Sequence, residues 1–146
     1  MWKPRLQSSS SLELTTINPS NIGKIEPVLK SFGCEPNSRV IVAAGPSSVV
    51  HRGSLIEAIT HIRLPAVHPF SCFASAGGLA SYGPDSVEIH ISAAEYVDRV
   101  LKGERPADLP VQAPTKYQLT INLKAAKAIG LAIAQSLPST ADEMIE

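Results

Sequence analysis

The side chains best placed to meet a ligand stand in the run Gly45-Pro46-Ser47-Ser48, which follows an apolar stretch and precedes a helical one. Hydroxyls and free backbone N–H groups at a helix start suit a carboxylate. The local alternative is that Ser47 or Ser48 only caps its own helix. The loop is no phosphate cradle, because the Gly-x-x-x-x-Gly-Lys spacing is absent. A second feature is the pair Gly77-Gly78, where the chain can turn or press against a ligand or another backbone. Phe70 and Tyr82 flank the small-residue connector and the glycine pair. They could wall a small-molecule cleft or serve, as isolated aromatics usually do, as core; Tyr82 is the stronger candidate, since its hydroxyl needs a partner if buried.

Catalytic patterns are missing. His51, His61, His68 and His90 never recur at i,i+4 or beside Cys34 or Cys72, so no metal-ligand spacing exists and no metal is expected. There is no Gly-x-Ser-x-Gly elbow, no acid pair and no histidine set for triad chemistry. The expectation is a binder with no catalytic residues and no cofactor. The rival from the enzyme class is a small α/β hydrolase or nucleotide-dependent enzyme, which such folds also host. Neither cysteine sits in a C-x-x-C motif, and buried free thiols are the commoner state.

The chain has 146 residues, enough for one domain with a core. With 44% hydrophobic and 18% charged residues it has a globular composition. Thirteen basic and thirteen acidic side chains leave no field to steer a polyanion, so nucleic acid is not an expected partner. No run approaches the roughly 18 apolar residues of a membrane span. The N-terminus MWKPRLQSSSSLELTT has early cations but no apolar h-region, so as written it reads as cytoplasmic.

These side chains need a frame, and the pattern supplies one. Residues 1–11 are polar and aperiodic, which predicts a disordered tail. LELTTI (12–17) alternates as an edge strand. A helix follows, capped at Ser20 or Asn21, with Ile22, Ile25, Leu29 and Phe32 as its stripe and Gly33 as its stop. Pro27 should kink it or delay its start, since an interior proline costs about 3 kcal/mol. RVIVAA (39–44) is continuously apolar, which suits a central strand covered on both faces. Leu55, Ile56, Ile59 and Ile62 mark the next helix, and Leu64 to Val67 the next strand. Strands alternating with helices imply right-handed crossovers and a parallel sheet.

The run Ala76 to Gly103 is the most legible. Leu79 to Tyr82 reads as a short strand. Asp85 is an N-cap with Glu88 three residues on, as in a capping box. Val87, Ile91, Ala94, Val97 and Leu101 recur at threes and fours as one apolar face. Glu95 and Arg99 are spaced to pair, and Gly103 is a left-handed stop followed by Pro106. After an extended connector, YQLTI (117–121) alternates as a strand, Asn122 caps a helix, and Gly130 ends it. Pro138-Ser139 should open a last short helix, with Thr140 and Glu143 as a capping box.

The pieces AGGLASYGPD and VDRVLKGERPADLPVQAPTKYQLTINLKAAKAIGL resemble the C-terminal half of ABC-transporter substrate-binding proteins of the tryptophan-binding TrpX type. The resemblance runs from about Leu12 to Glu146. It implies a three-layer parallel-sheet α/β lobe of a type I periplasmic binding protein, formed by 12–70 and 117–146. Residues 71–116 would cross to a mostly absent first lobe. It also implies capture of a small, amino-acid-like solute between lobes, with Pro46, Ser47, Ser48, Phe70, Gly77, Gly78 and Tyr82 as ligand-binding residues. An ABC permease is the implied partner and the periplasm or another extracytoplasmic space the implied location. Family members usually carry an acid where Gly45 stands, so the partner for a ligand's amino group is missing here. Two further expectations follow. The chain could be a truncated, non-functional remnant of such a binder. Half a cleft should bind weakly, and the uncovered Val87–Leu101 face should repack, stay mobile or support self-association.

Overall fold

A computed structural model describes residues 14–17, 22–134, 137 and 139–146. The elements in chain order are α1 (Ile22–Gly33), β1 (Val40–Ile41), α2 (Pro46–Val50), α3 (Arg52–His61), β2 (Ala66–His68), α4 (Ser71–Ser75), β3 (Ala80–Pro84), α5 (Ser86–Leu101), β4 (Tyr117–Asn122), α6 (Leu123–Ala128) and β5 (Glu143–Ile145). The expected tail over 1–11 and the helix cap at Ser20 or Asn21 lie outside the described residues.

The strands form one α/β sheet in the spatial order β1-β2-β3-β4-β5. Pairs β1–β2, β2–β3 and β4–β5 are parallel, and β3–β4 is antiparallel. Parallel neighbours require the chain to cross back over the sheet, and α3 and α4 make those returns.

One face of the sheet carries the core. Ile25 and Leu29 of α1 and Leu55 and Ile59 of α3 cluster with Leu64 and Ala66, and Val40, Val42 and Phe32 pack against them. Ile25, Leu29, Phe32, Leu55, Ile59 and Ile62 belong to the stripes that the spacing marked, and they face this core as expected. Pro27 lies inside α1, where its ring removes one backbone donor. The opposite face, carrying Ile41, Val67 and Tyr82 in alternation with the core positions, leaves these three 81%, 41% and 58% exposed.

Three expectations change. RVIVAA is an edge and not a central strand: only Val40–Ile41 pairs, and only with β2. Its apolar run reflects two apolar faces of which this chain covers one. Leu14–Ile17 has no strand assignment, although Ile17 packs on the core. The last helix is replaced by β5, because Asp142 pairs with Leu119 and draws the segment beside β4: Asp142 N–H donates to Leu119 O at 2.9 Å and Leu119 N–H donates to Asp142 Oδ2 at 2.7 Å.

Helix α5 begins and ends where the sequence indicates. Asp85 Oδ1 accepts from Val87 N–H at 2.9 Å and Glu88 N–H at 3.4 Å, and Gly103 closes the helix at φ +100°. The capping box is not reciprocal, since Asp85 N–H donates to Lys116 O at 3.0 Å. Arg99 bonds Glu104 Oε2, at 2.9 Å from Nε and 2.6 Å from Nη2, in place of the expected Glu95 pair. Asn122 caps α6 as expected, with Oδ1 accepting from Ala125 N–H at 2.9 Å and Nδ2 donating to the buried Ala74 carbonyl at 2.9 Å.

Candidate solute-binding site

Because β1, β2 and β3 run parallel, the chain leaves all three at the same edge of the sheet. That edge therefore gathers Gly45–Ser48 after β1, Pro69–Phe70 after β2 and Tyr82–Pro84 at the end of β3. Strand β4 runs the other way, so its first residue, Tyr117, arrives at this edge opposite Pro84. In open α/β sheets the carboxyl edge of the strands is where ligands bind.

Four of the expected site residues meet there with accessible surface. Pro46 is exposed, at the first position of α2, and Ser47 and Phe70 are half-buried. Tyr82 is 58% exposed and stacks on Tyr117, with ring centroids 5.7 Å apart and an angle of 26° between planes. Tyr117 carries the same exposed aromatic character but was not singled out by sequence. The signal was its place as the first residue of an alternating strand.

Ser48 is placed differently. It is 1% exposed, and its Oγ–H is directed at the carbonyls of Ala43 (3.0 Å) and Gly45 (2.8 Å). Its hydroxyl thus closes the loop that presents Pro46 and Ser47. It also gives neither of the sequence alternatives, since α2 has no side-chain cap.

Gly77 and Gly78 precede β3 and so lie toward the other end of the strand from Tyr82. Gly77 turns at φ +106°, and Gly78 N–H donates to Phe73 O at 2.9 Å. A Cβ at Gly78 would stand 2.9 Å from the His68 ring and from Phe73 O. Close packing against the protein's own backbone explains this pair. A tighter approach occurs at Gly83, where a Cβ would fall 1.7 Å from Pro69 O, joining the ends of β2 and β3 beside Tyr82.

Behind the edge lies a polar row whose first three members are buried. His68, Ser81, Thr120 and Glu143 are successive cross-strand partners. His68 is 2% exposed and stacks on Phe73 at 5.2 Å, while Ser81 and Thr120 are fully buried. Neither His68 Nδ1 nor Ser81 Oγ has a hydrogen-bond partner. Burial pushes the His68 pKa down to about 4. His68 is therefore a neutral structural ring at ordinary pH. Among the described residues no three His, Cys, Asp or Glu side chains gather as a metal site.

The sheet topology is that of an α/β lobe of the periplasmic-binding-protein kind. The family model for ABC transporter substrate binding proteins matches residues 9–145, and the chain belongs to that family. No curated protein matches it. Its fold is similar to a conserved domain protein of Vibrio cholerae, with a TM-score of 0.74 and 22% identity over 84% of this chain and 41% of that one. It is equally similar to an ABC domain in complex with L-Trp from Streptococcus pneumoniae, with a TM-score of 0.73 and 22% identity over 85% and 42% of the two chains. A ligand-free, open substrate binding protein with adhesive properties from Clostridium difficile shares 16% identity at a TM-score of 0.59, covering 86% and 41%. The chain thus spans about two-fifths of each of these proteins.

Proposed function

We propose that this chain forms part of the solute-binding component of an ABC import system, holding a small molecule between two lobes and delivering it to a membrane permease. The observation that carries this reading is the convergence of Pro46, Ser47, Phe70 and Tyr82 on one strand edge in a chain of the substrate-binding family. The L-Trp complex of the pneumococcal neighbour supports a small, amino-acid-like ligand.

In this reading residues 12–70 and 117–146 belong to the second lobe. Residues 71–116 reach toward the first, although β3 is a strand of the present sheet. The protein acts outside the cytoplasm and as a binder, not a catalyst. No helix among the described residues is long and apolar enough to cross a membrane. The exposed stripe of α5 supports a further proposal, self-association through apolar surface, and equally suits a remnant that has lost its other lobe.

Calorimetric titration with amino acids and related solutes tests the proposal on two proteins: the 146-residue chain and the same chain joined to the first lobe of a relative. The two-lobed form should bind at micromolar strength or better and the chain alone at least tenfold more weakly, because a single wall supplies about half the contacts and no water exclusion. Failure of the two-lobed form to bind any solute would leave the remnant reading standing.

A further inference from the structure

The charges gathered at the carboxyl edge of the strands do not balance. Among residues 45–52, 69–72, 82–85 and 116–117, which form that edge, three are formally charged: Arg52, Asp85 and Lys116. Asp85 and Lys116 pair with each other at 2.9 Å. Arg52 is half-buried, and no carboxylate among the described residues pairs with it. Its one hydrogen bond to a described residue runs from Nη1 to Cys72 Sγ at 3.7 Å. Sulfur is a weak acceptor, so most of the five N–H donors of this guanidinium are unused. Cys72, like Cys34, is free and exposed, where burial was the expectation for both.

Arg52 opens α3, at the end of the connection that leaves β1, and Cys72 lies two residues beyond Phe70 in the connection that leaves β2. The guanidinium therefore spans the two loops that follow the first two strands. Ser47 and Ser71 stand in the same loops, half-buried, with hydroxyls that bond no described residue.

We propose that Arg52 holds the carboxylate of the solute, and that the substrates of this edge are small carboxylates with an apolar body. This rests on the solute-binding reading above and names the group that the site recognises. The planar fork of a guanidinium matches a carboxylate with two parallel N–H bonds, and the Ser47 and Ser71 hydroxyls are further donors in the same loops. Phe70, next to Ser71, offers apolar surface to the rest of the molecule. Charge sets the class. An anion supplies the partner that Arg52 lacks, a neutral amide leaves the guanidinium desolvated without one, and a cation opposes it.

Calorimetry on the two-lobed form tests this with 3-phenylpropionate and L-phenylalanine, each beside its amide. In the wild type each carboxylate should bind roughly tenfold or more tighter than its amide. In Arg52→Gln that preference should vanish through loss of carboxylate affinity, with the amides binding as before. Arg52→Lys keeps the charge without the fork and should restore part of it. Thermal midpoints should match the wild type, since Arg52 makes no ion pair within the chain. A wild type that binds only uncharged solutes, or a preference that survives Arg52→Gln, overturns the Arg52 assignment and leaves solute binding standing. Failure to bind these compounds or any amino acid removes both. On the 146-residue chain alone, the Arg52 Nε–H resonance should shift with millimolar 3-phenylpropionate and stay in place with the amide. A resonance unmoved by the carboxylate overturns the assignment even where the two-lobed form binds.

Discussion

Asp85 and Lys116 hold together the two points at which the chain leaves β3 and returns to β4: Oδ2 lies 2.9 Å from Nζ, and the Asp85 N–H donates to the Lys116 carbonyl at 3.0 Å. The same carboxylate caps α5. One side chain therefore fixes both the start of the helix and the closure of residues 86–115 into a loop.

The Lys116 ammonium and the Val87 N–H hold the Asp85 carboxyl below its usual 3.8. A depressed acid stabilises the fold above the unfolded value and loses that contribution as pH falls through the folded one, so α5 should fray below about pH 3.8. At neutral pH, Asp85→Asn keeps a capping oxygen and loses the ion pair, whereas Asp85→Ala loses both. Far-UV dichroism and thermal midpoint should decline in the order wild type, Asn, Ala, and both variants should lose the salt sensitivity of this ion pair.

His68 loses its contribution in the same direction, as pH falls, but over a higher range. Its ring stays neutral in the fold down to about 4, while the unfolded chain takes up a proton near 6.5. Stability should be level above pH 6.5 and fall between 6.5 and about 4, by on the order of 3 kcal/mol at ~1.4 kcal/mol per unit. Urea midpoints across that range should show the slope in the wild type and a flatter line in His68→Leu. Equal slopes in both would remove His68 as the cause.

Two glycines that look alike in sequence should respond in opposite directions to alanine. At Gly83 the added Cβ falls 1.7 Å from Pro69 O, a clash of backbone with side chain that neither strand can relieve without shifting, so a loss of about 3 kcal/mol or more is expected. At Gly53, inside α3, nothing lies within 4 Å of the new methyl. There alanine should raise stability by up to about 1 kcal/mol through helix propensity. Chemical denaturation of the two variants checks both signs.

Gly45 has extended backbone at φ −178°, and a Cβ there meets only Ser48 Oγ at 4.0 Å. An aspartate therefore fits. Gly45→Asp should leave the fold intact and add a few tenths of a kcal/mol as the N-cap that α2 lacks. In the two-lobed protein it should also tighten binding of solutes that bear an amino group over their deaminated analogues, measured by calorimetry.

Elements whose signals are local were readable from residues alone. Asp85 and Gly103 bracket α5, Asn122 caps α6, and the stripes of α1 and α3 predict the core they build. What depends on distant partners was not. RVIVAA carries two apolar faces, but composition cannot say that Ile41 remains 81% exposed in this chain. The antiparallel sense of β4 was hidden, because an extended connector of the same length serves either direction. At the site, strand order placed Pro46, Ser47, Phe70 and Tyr82 on one edge, whereas Ser48 differs from Ser47 only in which way a short helical turn points it. The His68–Ser81–Thr120 row required strand register, which no single segment contains.

The agreement between strand order in the sheet and order along the chain has a consequence for synthesis. As the polypeptide emerges from the ribosome, β2 finds β1 already available, β3 finds β2, and β5 finds β4. The longest wait is that of β4, which cannot dock on β3 until α5 and its connector have been made. At ~5–20 residues per second that delay lasts a few seconds. During it β3 is an open edge, and Gly83 against Pro69 is the contact that keeps its end in place.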